Sequence, residues 1–157
     1  MRRSFLLLSV IVFASLGVTW AGQDAQDNSD KSKAAGDYKI TPEDAARVNP
    51  VKSSPEGLAE ARKVFAYDCA MCHGAKGDGK GDIVDSMKLA MRDWREPTTL
   101  ANVTDGEIFY IITKGKGKMM AEGDRLAEKL RWNMVNLVRA MAAKGGEQKS
   151  AAATQPG

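Results

Sequence analysis

The hydrophobic positions of the chain recur with the spacing of α-helices in three segments. In the first segment, the apolar face comprises Leu58, Ala61, Val64 and Phe65. Ser54 is a candidate N-cap and Pro55 suits the first helical turn, so the pattern predicts a helix that begins there and runs directly into Cys69.

The second segment begins with a capping signature. In Thr-Asp-Gly-Glu, the side chain of Glu107 can reach back to the amide of Thr104, and Gly115 predicts the end of the helix. Its apolar positions are Ile108, Ile111 and Ile112.

The third segment is the longest and runs from about Arg125 to Lys144, where Gly145 and Gly146 are predicted to stop it. Its apolar stripe comprises Leu126, Leu130, Met134, Leu137, Val138 and Met141. Residues 83–94 could form a further short helix, and nothing between the segments alternates as a strand would. The pattern therefore predicts an all-α domain.

The start of the chain has the pattern of an export signal. A basic pair precedes an apolar stretch over residues 5–18, and small residues suit cleavage after Ala21. The stretch is shorter than the roughly 20 residues of a spanning helix, although an uncleaved, tilted anchor is an alternative. We therefore expect a periplasmic or otherwise exported protein, with membrane tethering as the alternative.

The composition divides the chain into one central domain and the segments that flank it. Residues 1–21 are the predicted signal, residues 22–55 a polar linker and Pro-punctuated lead-in, residues 56–144 the functional domain, and residues 145–157 a flexible tail. A total of 157 residues suits one such domain. Lysine and arginine alternate with acidic residues and form no basic run, which excludes nucleic acid as a partner despite the formal charge of +3.

The sequence Cys69-Ala70-Met71-Cys72-His73 has the c-type haem attachment pattern. Two cysteines separated by two residues on a helical turn can form thioethers with the two haem vinyl groups. His73 is then delivered to one face of the porphyrin, where its imidazole can ligate the iron. The chain contains one histidine, so one haem is expected and ligation by two histidines is excluded.

Three other interpretations of the two cysteines are weaker. A redox-active dithiol would be expected in a βαβ context, whereas this domain is predicted to be helical. A zinc site would need four ligands, and with two cysteines and one histidine in the chain a closed tetrahedral set would have to borrow carboxylates. A disulfide between residues three apart would be strained and would close almost no loop.

Methionine is the natural sixth ligand, because a thioether favours ferrous iron. Met119 and Met120 both lie in a glycine-bearing loop between two helices, from which a side chain can reach the opposite haem face. Met71 is too constrained by the attachment motif. Met87 and Met91 are expected to line the pocket and Met134 and Met141 to pack in the core.

At these residues the sequence resembles the class I cytochrome c family over about residues 56–144. The resemblance rests on Phe65 before the haem motif, Thr-Asp-Gly-Glu-Ile-Phe-Tyr-Ile-Ile-Thr-Lys-Gly, a methionine loop, Gly-Asp-Arg-Leu and a final helix that begins near Trp132. It implies three to five helices packed around one covalently attached haem c, with the first and last helices crossing. Ala61 and Phe65 match that crossing, whereas Leu137 stands where an aromatic residue is common.

The resemblance also implies a sixth ligand and a function. The ligand methionine of the family normally precedes a proline, and the residue in that register is Met119, with Met120 in place of the proline. The protein would then transfer single electrons between redox protein partners and would have no catalytic site of its own. Five loop lysines could form a basic rim for docking: Lys76, Lys80, Lys114, Lys116 and Lys118. The alternative is a merely solvated loop, in which Asp78 and Asp82 offset these lysines.

Two other functions stay open. A haem-based gas sensor or small haem enzyme would need a labile sixth ligand, and the doubled methionine is the feature that allows it. Alternatively, the same domain could be the electron-transfer subunit of a membrane oxidoreductase, tethered through residues 23–36.

Overall fold

The computed structural model describes residues 39–153, with side chains as far as residue 146. Within this range it contains five α-helices and a π-helical turn, and no strand. The helices are α1 (Pro42–Ala45), α2 (Pro55–Val64), α3 (Ala70–His73), α4 (Asp105–Lys114) and α5 (Glu128–Ala153), and the π-helical turn Phe65–Cys69 joins α2 to α3. The predicted all-α class is confirmed. The predicted signal peptide and residues 22–38 of the predicted linker and lead-in lie outside the described residues.

The short helix α1 lies within the segment predicted as a lead-in. The side chain of Thr41 accepts a hydrogen bond from the amide of Asp44, and Pro42 occupies the first helical turn, so the local sequence caps this helix well. Helix α1 packs against α4 at Gly106, where a Cβ atom would collide with the carbonyl oxygen of Asp44. A glycine is therefore required for the close approach of these two helices.

Helix α2 begins as predicted, because the side chain of Ser54 accepts a hydrogen bond from the amide of Gly57 and Pro55 is the first helical residue. The helix does continue to Cys69, but through the π-helical turn rather than as a regular α-helix. Such turns are rare and are frequent at functional sites.

Helix α4 confirms the predicted capping box. The amide of Glu107 donates to the Thr104 hydroxyl over 3.1 Å, and the amide of Thr104 donates to the Glu107 carboxylate over 2.7 Å. At the other end, Gly115 adopts φ 76°, a left-handed conformation that favours glycine. The sequence therefore determined both ends of this helix.

Helix α5 differs from its prediction at both ends. It begins at Glu128 because the amides of Arg125 and Leu126 donate to the carbonyl of Glu122 in a preceding turn. The predicted stop at Gly145 and Gly146 is wrong, since the helix continues to Ala153. Glycine weakens a helix interior by only about 1 kcal/mol, which does not prevent a helix. At Gly145 a Cβ atom would collide with Arg95, so the glycine permits close packing there.

The hydrophobic core joins α2, α4 and α5. Helix α2 packs along α5, where Ala61, Phe65 and Leu137 are all buried, so the predicted crossing forms with a leucine at the third position. The rings of Phe109 and Trp132 stack at 3.9 Å between their centroids and bring α4 onto α5. The other buried apolar residues are Ile108, Ile112, Met134, Val135 and Val138.

The segment 83–94 is not a helix, contrary to the prediction. The amides at its two ends pair with other segments, in the bonds from Ile83 to the carbonyl of Met71 and from Trp94 to the carbonyl of Gly77, while residues 84–89 form local turns. Lys88 adopts φ 50°, which interrupts any helix at that position. Within residues 39–153, none of the helices is both long and apolar enough to span a bilayer.

Candidate cofactor site

A cavity of about 320 Å³ opens between the segment that bears the haem motif, helix α4 and helix α5. It is lined mainly by apolar side chains: Phe65, Trp94, Leu100, Val103, Ile108, Ile111, Ile112, Met134 and Val138. Three candidate cofactor ligands line it as well, namely Cys69, His73 and Met119. The structure therefore brings together most of the residues that the sequence nominated, although Met119 lies 46 positions after His73 in the chain.

The attachment turn, residues 69–73, consists of the last residue of the π-helical turn and helix α3. Gly74 follows with φ 74° and turns the chain away, as expected for a glycine directly after His73. Burial lowers the pKa of His73 to about 4, because it penalises the charged imidazolium. The imidazole is consequently neutral at ordinary pH, which is the form that ligates a metal.

The two cysteines of the attachment turn are not joined by a disulfide. Cys69 lines the cavity, whereas Cys72 is half-buried and is not among the lining residues. Burial, followed by the negative charges of Glu122 and Asp68, raises the pKa of Cys69 to about 12. The thiol of Cys69 is therefore protonated at neutral pH and is not poised as a reactive thiolate.

The methionine loop, residues 115–127, connects α4 to α5 and carries both candidate sixth ligands. Reciprocal backbone bonds of 3.1 and 3.0 Å between Lys116 and Met119 close a tight turn, in which Gly117 adopts φ 58°. Met119 lines the cavity, while the side chain of Met120 is 68% exposed and does not. The structure thus separates two adjacent methionines that the residues alone left equivalent.

The other methionines occupy their predicted positions, in the pocket or the core, only in part. Met134 is buried in the core as expected, and it lines the cavity as well. The expectation that Met87 and Met91 line the pocket is wrong. Met87 is exposed, and Met91 packs beside Gly79, because the segment 83–94 forms turns rather than a helix.

An ionic bridge connects the methionine loop to Asp68, the residue directly before the attachment turn. The guanidinium of Arg125 donates to Asp68 over 3.2 Å and to Glu122 over 3.0 Å. Glu122 is only 6% exposed, and its second carboxylate oxygen has no hydrogen-bond partner within the described residues. Burial is the main cause that raises the pKa of Glu122, and Arg125 opposes the shift. Sequence reasoning missed this bridge, because its members are far apart along the chain.

Trp94 is a further site residue that sequence reasoning missed. Its indole stacks on the imidazole of His73, with 4.4 Å between ring centroids and 28° between the planes. An aromatic residue within an otherwise polar loop was the signal available in the sequence. The cavity also includes three charged side chains, those of Arg92, Glu107 and Lys116.

The donor set and the lining fit a covalently attached haem. The cavity volume lies in the range of roughly 300 to 1,000 Å³ that is usual for ligand sites, and a neutral imidazole, a thioether and a thiol line it together. The Nδ1 atom of His73 is buried without a hydrogen-bond partner within the described residues, so the imidazole has not been committed to a protein network. Fold and site together define a helical haem-binding domain.

Comparisons with known proteins agree with this class. The family profile described as cytochrome C oxidase, cbb3-type, subunit III matches residues 56–138. A cytochrome c6 from Cladophora glomerata is 38% identical over 73 residues, which cover 46% of this chain and 76% of that protein. The chain therefore belongs to the class I c-type cytochromes and matches the profile of the cbb3-type subunit III family over its helical domain.

The fold also resembles a solved structure. The Kuenenia stuttgartiensis reducing HAO-like protein complex aligns with a TM-score of 0.52 and 17% identity over 59% of this chain. The alignment covers 46% of the length of that solved chain. At 17% identity, this likeness concerns the fold alone. The cofactor of the c-type cytochromes is covalently bound haem c with its iron, and this chain has the two cysteines that such binding uses, Cys69 and Cys72.

Proposed function

We propose that the protein carries single electrons between redox proteins in an exported compartment, with one haem attached through Cys69 and Cys72 and ligated by His73 and Met119. The observation that carries this proposal is that Cys69, His73 and Met119 line one mainly apolar cavity, although Met119 comes from a different segment from the other two. When bound, the haem iron supplies a centre that gains or loses one electron. Residues 56–144 form the domain that holds it, residues 1–21 direct export, and residues 22–55 link the two.

The protein's own residues favour electron transfer over substrate chemistry. His73 is held neutral by burial, and Met119 is a neutral thioether, so neither side chain has to gain or lose a proton when the iron changes its charge. The apolar lining excludes water and thereby limits reorganisation around the site. The pair of ligands is of the kind that gives cytochromes raised potentials.

The choice of Met119 over Met120 is tested by two matched substitutions. The sulfur-to-iron charge-transfer band of the ferric protein should disappear in Met119→Leu and persist in Met120→Leu, because of these two methionines Met119 alone lines the cavity. Both variants should keep the covalently bound haem. Loss of the band in Met120→Leu alone, or its persistence in both variants, would refute the assignment.

A carbon monoxide titration of the ferrous protein separates the carrier from the alternative of a gas sensor or small haem enzyme. A carrier whose iron is held by His73 and Met119 should refuse the gas at neutral pH, since no coordination position is open. Ready binding by the wild-type protein would favour the sensor or enzyme and would contradict the carrier.

The docking surface proposed for redox partners is the basic rim of five lysines named above, all of which are exposed. Lys116 lines the cavity and the ammonium of Lys118 donates to the carbonyl of Met87, so the rim reaches the cavity from the methionine loop. Charge on such a rim steers an acidic partner. The electron-transfer rate with an acidic partner should fall steeply as salt is added, and a flat dependence would remove the rim from the proposal.

A second candidate function is that of a subunit that delivers electrons within a membrane oxidoreductase. The match to a family described as cytochrome C oxidase, cbb3-type, subunit III favours it. Fractionation of cells that express the native protein distinguishes the two roles. A free carrier is released with the periplasmic contents, whereas a subunit stays with the membranes and co-purifies with an oxidoreductase.

A further inference from the structure

The His73 imidazole has an unusual environment for a metal ligand. Histidine ligands almost always donate their second ring N–H to a carboxylate, a carbonyl or water, and this bond fixes the orientation of the ring. In this protein Nδ1 of His73 is buried and has no such partner within the described residues. Another contact must therefore set the plane of the ring.

Trp94 provides that contact, with its indole stacked on the imidazole at 4.4 Å and 28°. The flat face of an indole restricts rotation of a ring that lies against it, as a hydrogen bond to Nδ1 would. Phe65 packs on the same indole, with 6.2 Å between ring centroids and 57° between the planes. The indole is thus held between two rings, one of which is the ligand.

Hydrogen bonds and ion pairs also hold the backbone around Trp94. The amide of Trp94 donates to the carbonyl of Gly77 over 2.9 Å, and a Cβ atom at Gly77 would lie 2.9 Å from the Cε3 atom of the indole. The guanidinium of Arg95, next in sequence, forms bonds of 2.9 and 2.8 Å with Asp93 and approaches Asp78 to 3.9 Å. These contacts tie the segment to the turn that follows His73.

We infer that Trp94 is the positioning residue for His73, whose imidazole plane it fixes by stacking in place of a hydrogen bond to Nδ1. The inference rests on the proposed function, because it assumes that His73 ligates the haem iron. In this inference Trp94 affects the orientation of the His73 ring, whereas covalent attachment of the haem depends on the two cysteines. Substitution of Trp94 should consequently alter the electronic signature of the iron and leave the amount of bound haem unchanged.

The test compares ferric holoprotein variants by low-temperature electron paramagnetic resonance, which is sensitive to the orientation of the imidazole plane. Trp94→Leu removes the aromatic face and should shift and broaden the signal at the largest g value. Trp94→Phe keeps a smaller ring and should shift the signal less. The matched control is Trp132→Phe, the same substitution at a buried tryptophan that stacks on Phe109, away from His73.

The control should give the wild-type signal even if its melting temperature falls, because it alters packing alone. The inference is overturned if the Trp94 variants keep the wild-type signal, or if Trp132→Phe shifts it equally. Should Trp94→Leu fail to fold, the pair Trp94→Phe and Trp132→Phe decides the matter by the same comparison. A wild-type protein without covalently bound haem would instead refute the proposed function, which the haem content of each sample reports separately.

Discussion

The attachment turn and the methionine loop supply the two sides of one proposed haem site, yet they are built in different ways. The attachment turn places Cys69, Cys72 and His73 within five consecutive residues on helical backbone. The methionine loop contributes one proposed ligand, Met119, whose position depends on a tight turn, on two flanking helices and on the Arg125 bridge. One side is local and proposed to be covalent, whereas the other requires the folded protein.

This difference predicts separate responses to perturbation. A change in the core should release the methionine loop before it affects haem attachment, because attachment uses covalent bonds that survive unfolding. Conversely, removal of the cysteines should leave α4 and α5, the helices that flank the methionine loop, able to pack against each other.

Replacement of both Cys69 and Cys72 by serine should abolish covalent haem attachment, since no thiol is left in the chain to form a thioether. Extraction with acidified acetone measures it: the variant should lose its pigment to the solvent, and the wild-type protein should keep it. Met71→Leu, an exposed substitution within the same turn, is the control and should keep the pigment. A double variant that resists extraction would disprove attachment through this motif.

Phe109→Ala should lower the free energy of unfolding by about 3 to 5 kcal/mol, because it removes a buried ring and leaves a cavity. Phe109 stacks on Trp132 between α4 and α5, the two helices that flank the methionine loop. Denaturant titrations followed by circular dichroism measure the loss, and the charge-transfer band should vanish at lower denaturant. Haem should stay covalently bound throughout.

Tyr67→Ala is the control for this substitution, because Tyr67 is an exposed aromatic residue in the π-helical turn. Its effect should remain within about 0.5 kcal/mol. If Phe109→Ala cost no more than Tyr67→Ala, the contact between α4 and α5 would not be a main source of stability.

Thr104→Ala should destabilise the protein by about 1 kcal/mol, since the N-cap of α4 loses its side-chain acceptor. The hydroxyl also donates to the carbonyl of Ala45 over 2.6 Å, so the link between α1 and α4 is lost too. Thr104→Ser retains the oxygen and should recover most of the loss. Thermal unfolding of the three proteins side by side provides the measurement, and equal melting temperatures would contradict the role of the cap.

Glu122→Gln should have the smallest effect, and its size should depend on pH. Burial raises the pKa of Glu122 above the ordinary value of 4.5, so the folded protein holds this proton more tightly than the unfolded chain does. The stability contributed by the protonated carboxyl is therefore present at acid pH and is lost as the pH rises through the folded pKa. Above that pH the variant should gain stability relative to the wild-type protein.

Melting temperatures of wild type and Glu122→Gln, recorded from mildly acid to neutral pH, test this sign. Glu60→Gln, an exposed substitution on α2, should show no comparable trend. A relative stability that moved in the opposite direction with pH would show that the ion pair with Arg125 outweighs the cost of burying Glu122.

The sequence predicted helix ends where the determinants are local. Thr104 with Glu107, and Ser54 with Pro55, lie within one helical turn of the bonds they form, so their prediction needed no tertiary information. The predictions failed where a long-range contact decided the outcome. Gly145 lies against Arg95, where a larger residue would collide, and residues 83–94 are held at both ends by backbone bonds to Met71 and Gly77.

By itself, the sequence determined the helical class, the caps and the clustering of two thiols with one imidazole, because all three follow from residues that are close along the chain. The tertiary structure alone decided that Met119 lines the cavity while Met120 is exposed, that Trp94 stacks on His73, and that Glu122 is buried beneath Arg125. These facts depend on contacts between segments distant in sequence, which no local pattern of residues encodes.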